Sequence, residues 1–108
     1  LETLNAHPTA LKTKLNPDGQ IDLPFFFEAL AAKGVLEVLV ECGPTLAGAV
    51  MQANLVDELV LFLAPKFMGM GKPLLQLPEL DKMSDLRAWS LFDTRRIGPD
   101  IKLVLKPD

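Results

Sequence analysis

The sequence predicts an α/β fold in which a mostly parallel sheet, joined by crossover helices, is finished by a C-terminal antiparallel hairpin. Three observations predict it. Apolar runs, "VLEVLV" at Val35 to Val40 and "ELVLFLA" at Glu58 to Ala64, alternate with segments of helical period, the order that lays strands side by side in parallel. The runs are rich in Val and Leu and nearly unbroken, as strands covered on both faces are. At the end, "RAWSLFDTRRI" and "IKLVLKP" have mixed polarity and flank "GPD", Gly98 to Asp100, which suits a tight reversal.

The elements follow in order. "LKTKL", Leu11 to Leu15, alternates apolar and polar like a short half-buried strand. "NPDGQ", Asn16 to Gln20, is a turn, with Pro17 presetting one dihedral and Asp18-Gly19 favouring reversal. Asp22 is an N-cap, Pro24 fits a first helical turn and Gly34 a helix stop, so "LPFFFEALAAK" is a helix bounded at both ends. Leu23, Phe26, Phe27, Leu30 and Ala31 form its apolar stripe. Phe25 lies off that stripe, and rests either on a neighbouring loop or on another subunit. Val35 to Val40 is a strand, Pro44 to Ala53 a helix with Asn54 as a left-handed stop, and Glu58 to Ala64 a strand that ends before Pro65. "KFMGMGKPLLQLPELDKMSD", Lys66 to Asp85, is punctuated by Gly and Pro and reads as a loop.

Composition narrows the function. A chain of 108 residues, nearly half of them hydrophobic, is one ordinary globular domain or a piece of one. Net charge is −3 and the 11 Lys and Arg are scattered, so no basic footprint for nucleic acid exists. The apolar stretches fall far short of the roughly 20 residues of a membrane helix, and the first residues lack a signal-peptide pattern. One cysteine, Cys42, and one histidine, His7, provide neither an internal disulfide nor an ordinary zinc site, so no metal is expected and the cytoplasm is the expected compartment.

The chemistry points to "ECGPTLAG", Glu41 to Gly48. Ligands of open α/β sheets collect beyond the carboxyl ends of strands, where a glycine lets a ligand approach the backbone. Gly43 stands there. The N–H groups of the following helix have no internal partners and carry the positive end of its dipole, so "GPTL" suits a phosphate. Thr45 adds a hydroxyl donor. Spacing alone is equally met by a turn that merely starts a helix. Glu41, at a strand mouth, either orients the hydroxyls of a sugar or is a solvated strand end. Cys42 reads as a small buried hydrophobe.

Other candidates are weaker. "GMGKP", Gly69 to Pro73, lacks the P-loop arrangement, and no G-x-G-x-x-G occurs. His7 has no partner at catalytic spacing and reads as a surface residue. Asp57-Glu58 fits a solvated strand entry, and only one of Arg95 and Arg96 can face a given site on a strand.

The run "VLVECGPTLAGAVMQANLVDELVLFLAPKFMG", with "RRIGPDIKLVLKP" after it and "DGQIDLPFFFEALAAKG" before it, resembles the C-terminal half of the reductase domain of the bifunctional riboflavin biosynthesis deaminase/reductase family. The resemblance covers Pro17 to Pro107; residues 1–16 match loosely. It implies a dihydrofolate-reductase-like fold of which residues 1–108 are the C-terminal part, the N-terminal half and the deaminase domain lying outside the chain. It implies NADPH-dependent reduction of 5-amino-6-(5-phosphoribosylamino)uracil to the ribitylamino product, in a homodimer. Carried over by position, Glu41 contacts the substrate, and Gly43, Pro44, Thr45, Leu46, Ala47, Gly48 and Ala49 line NADPH. Cys42 stands at the first of two adjacent glycines that many members of the family have in this turn, so the backbone there must accept a Cβ. No residue of the chain stands out as the general acid. Two other readings remain open: a non-catalytic structural or oligomerisation fragment whose strand edges seek a partner, and a related reductase of another pteridine or pyrimidine.

Overall fold

The computed structural model describes residues 11–108, which leaves His7 outside the described part. The chain divides into two compact units, Leu1–Val38 and Leu39–Asp108.

In the first unit, "LKTKL" is reduced to a single antiparallel bridge, Leu15 with Ile21. The turn between them is built by Asn16, whose Oδ1 accepts from the amides of Asp18 at 3.0 Å and Gln20 at 2.9 Å. Gly19 supplies the left-handed residue, φ 78°, that closes it. Helix α1, Leu23–Ala32, starts where expected, with Asp22 Oδ1 accepting from the Phe25 amide at 3.0 Å. It stops by a Schellman arrangement: Val35 N–H donates to Leu30 and Gly34 N–H to Ala31, with Gly34 at φ 87°. Phe25 packs under the ammonium of Lys14, 5.3 Å from the ring centre.

The second unit contains helix α2, Pro44–Gln52, and three strands, β1 Leu59–Leu63, β2 Trp89–Ile97 and β3 Asp100–Pro107. Helix α2 ends by the same device as α1. Leu55 N–H donates to Val50 and Asn54 N–H to Met51, and Asn54 takes the left-handed φ of 56° assigned to it from sequence. The hairpin of β2 and β3 turns through Gly98 and Pro99, with Ile97 opposite Asp100 and Gly98 at φ 57°, the sign its first central position needs. The register slips between Leu91 and Asp93, so Phe92 is the extra residue of a bulge. Its ring lies beneath the Lys106 ammonium at 3.8 Å.

The sheet departs from the expected one. Its order is β1-β3-β2 and both pairings are antiparallel. Residues Val35 to Val40 form no strand among the described residues. A two-sided apolar strand gains its stability only when neighbours pair with it and cover it, yet Leu36 is 96% and Leu39 85% exposed. The mostly parallel sheet is therefore not formed by these residues themselves. Hydrophobic burial is correspondingly small: among the described residues only Val50, Met51 and Val104 are buried apolar side chains. No described helix is long and apolar enough to cross a membrane.

Candidate functional site: the turn into α2

Gly43 is the N-cap of α2 with φ −77° and ψ 178°, extended backbone open to any residue. Glycine is thus not required there by conformation. Nor is it required by packing, since a Cβ built on Gly43 meets no atom within 4 Å. What the missing side chain leaves is open space in front of the helix. Pro44 occupies the first helical position, where its lack of N–H costs nothing, and the first intrahelical bond runs from Ala47 N–H to the Gly43 carbonyl at 3.1 Å. The amides of Thr45 and Leu46 precede that bond and have no acceptor among the described residues. No acidic side chain sits in the first turn to neutralise the dipole. Two free amides, a positive helix end and an uncrowded approach can together hold one face of a phosphate.

The rest of the segment behaves differently. Gly48, one helical turn on, is buried, and a Cβ there would fall 2.0 Å from the backbone oxygen of Gln76. Gly48 is a close-packing glycine whose open face is taken by another part of the chain. Ala47 and Ala49 are half-buried and Leu46 is 44% exposed. Of the seven residues implied by resemblance, Gly43, Thr45 and Leu46 are exposed, Pro44, Ala47 and Ala49 are half-buried, and Gly48 is buried against protein.

Glu41 and Cys42 are exposed, in irregular backbone just before the cap. Cys42 is not the buried hydrophobe expected from sequence, because no strand forms there to enclose it. Its Cβ is accommodated in open backbone. Arg95 is held by Asp93 at 2.9 Å, an exposed ion pair, and Arg96 Nε donates to the Gly98 carbonyl at 3.4 Å. Glu58 lies 4.0 Å from Lys106 at the edge of the sheet. No group of three or more metal-ligating side chains occurs among the described residues.

Two residues that hold α2 escape a reading of the sequence. Arg87 Nη1 donates to the Met51 carbonyl at 2.7 Å and to Asn54 Oδ1 at 3.2 Å, so a cation caps the negative end of the helix. Gln76 holds the opposite end. Its backbone N–H donates to the Pro44 carbonyl at 3.0 Å, and its side-chain Oε1 accepts from the Thr45 hydroxyl at 3.2 Å. Both partners lie more than 30 residues from the groups they hold, and no local pattern marks them.

A family model described as the RibD C-terminal domain matches residues 2–103. The chain belongs to the RibD C-terminal domain family. It is 40% identical to the riboflavin biosynthesis protein RibD of Escherichia coli over 101 residues, which is 91% of this chain and 28% of that protein. It is 34% identical to the 5-amino-6-(5-phosphoribosylamino)uracil reductase of Buchnera aphidicola over 89 residues, 82% of this chain and 43% of that one. The chain thus spans less than half the length of these curated relatives. Among solved structures, RibD from Acinetobacter baumannii superposes with a TM-score of 0.72 at 26% identity, over 82% of this chain and 26% of that one. The fold described above, α/β with a small antiparallel sheet, is thus matched by part of a RibD structure.

Proposed function

We propose that this chain is the C-terminal part of a reductase domain that reduces 5-amino-6-(5-phosphoribosylamino)uracil in riboflavin biosynthesis with NADPH. The observation that carries the proposal is the open turn at Gly43: two unpaired amides and a positive helix end, in a chain related to a reductase of that name. These residues fit the phosphates of a dinucleotide. When bound, NADPH supplies the hydride that reduces the sugar carbon.

The chain's own part is to bind and orient. The Thr45 and Leu46 amides hold a phosphate oxygen, and Pro44 fixes the helix entry so that both amides point the same way. Glu41, exposed immediately before the cap, accepts hydrogen bonds from sugar hydroxyls of the substrate. The proton donor and the clamp for the substrate phosphate come from outside these residues. So do the parallel neighbours of Val35 to Val40: the exposure of Leu36 and Leu39 supports a complete dihydrofolate-reductase-like domain in which that segment is an inner strand. A cytoplasmic homodimer belongs to the same proposal.

The test is NADPH consumption by the full-length protein with the aminouracil substrate, followed at 340 nm. Turnover with this substrate is expected. A folded full-length protein that binds NADPH but turns over only another pyrimidine or pteridine would reject the substrate, and one that binds no NADPH would reject the reductase reading.

A further inference from the structure

We infer that Gln76 is a positioning residue of the α2 turn, whose side-chain amide sets the direction of the Thr45 hydroxyl. The inference rests on the cofactor reading of that turn. Gln76 grips α2 at three points spaced along one face: its N–H on the Pro44 carbonyl, its side chain on Thr45, and its carbonyl against Gly48. The loop from Lys66 to Asp85 otherwise forms little regular structure, so these bonds are what register it on the helix. The backbone contacts place Gln76 at a fixed depth, and its exposed side chain lies beside the first turn.

The hydrogen bond has a consequence for ligand binding. As it stands, the Thr45 hydroxyl donates its only hydrogen to Gln76 Oε1. It can then offer a phosphate nothing but lone pairs. A carboxamide has a second face: rotated by half a turn, its NH2 donates to the Thr45 oxygen and frees the hydroxyl hydrogen for an anion. The separation of 3.2 Å serves either arrangement. Gln76 thus accepts from Thr45 in the ligand-free turn and donates to it when a phosphate arrives. Glutamate has no such second face when ionised, and it adds a negative charge beside the phosphate.

The experiment is calorimetric titration of the full-length enzyme with NADPH, for wild type, Thr45→Val, Gln76→Leu, their double variant, Gln76→Glu and Gly43→Val. Melting temperatures are recorded for each. Thr45→Val and Gln76→Leu are expected to weaken binding by about two- to tenfold each, and the double variant by no more than the weaker-binding single. Gln76→Glu is expected to bind less tightly than Gln76→Leu, although it keeps an acceptor for Thr45. A merely structural Gln76 would give the opposite order, with melting temperatures following affinity. Additive effects in the double variant, or wild-type affinity in Gln76→Glu, would overturn the inference. Unchanged affinity in Gly43→Val would instead overturn the cofactor reading beneath it. A loss in Gly43→Val beside unchanged Thr45→Val and Gln76→Leu would sink the role of Gln76 alone.

Discussion

Replacing Gly48 by alanine tests the packing of α2 by the sign of its effect. In the middle of an exposed helix that exchange stabilises by about 0.5–1 kcal/mol, because glycine is the costlier residue to order. At Gly48 the new Cβ would fall 2.0 Å from the Gln76 oxygen and 2.8 Å from its carbonyl carbon. Ordinary contact begins near 3.4 Å, so the Gln76 backbone must withdraw by about 1.4 Å. Overpacking of that kind costs about 1–3 kcal/mol. Withdrawal also stretches the 3.0 Å bond from Gln76 N–H to Pro44, worth about 1 kcal/mol. The net expectation is a loss of about 1–3 kcal/mol against the helix-propensity gain. Urea denaturation of the full-length protein, comparing midpoints at unchanged slope, reads it directly. A variant as stable as wild type, or more so, would show that the loop does not rest on Gly48.

Other substitutions test single links. Arg87→Ala should lower stability by about 1–2 kcal/mol, because the Met51 carbonyl and Asn54 lose a charged donor, and denaturant midpoints measure it. Gly98→Ala meets no atom within 4 Å but must adopt φ 57°, so a loss of about 1–2 kcal/mol in thermal unfolding is due to backbone alone. Asp22→Ala removes the cap of α1 and should cost about 1 kcal/mol, with Asp22→Asn largely restoring it. Glu41→Gln should raise KM for the aminouracil substrate on the order of tenfold while NADPH affinity holds; equal affinity for the substrate would remove Glu41 from the site.

The elements that local chemistry decides were legible in the sequence. Asp22, Gly34 and Asn54 act as cap and stops because each works through bonds within five residues of itself. The Gly98-Pro99 reversal is local in the same sense. What local chemistry leaves open is which strands pair. "VLEVLV" has the composition of an inner parallel strand but forms no ladder among these residues, since pairing needs partners and not propensity. The site divides along the same line. The open turn at Gly43 can be read from Gly-Pro-Thr, whereas the seating of Gly48 on Gln76, 28 residues downstream, cannot. A glycine that leaves open space and a glycine that admits a loop look alike in a sequence.

The most direct test of the central claim is the affinity of the full-length enzyme for NADPH with Gly43 replaced by valine. The fold has room for the side chain and an ordinary backbone angle to receive it, so melting temperature should hold. Binding should weaken on the order of 100-fold if the valine keeps the phosphate from the Thr45 and Leu46 amides, two charge-assisted bonds at stake. Wild-type affinity in a stably folded Gly43→Val variant would contradict the account.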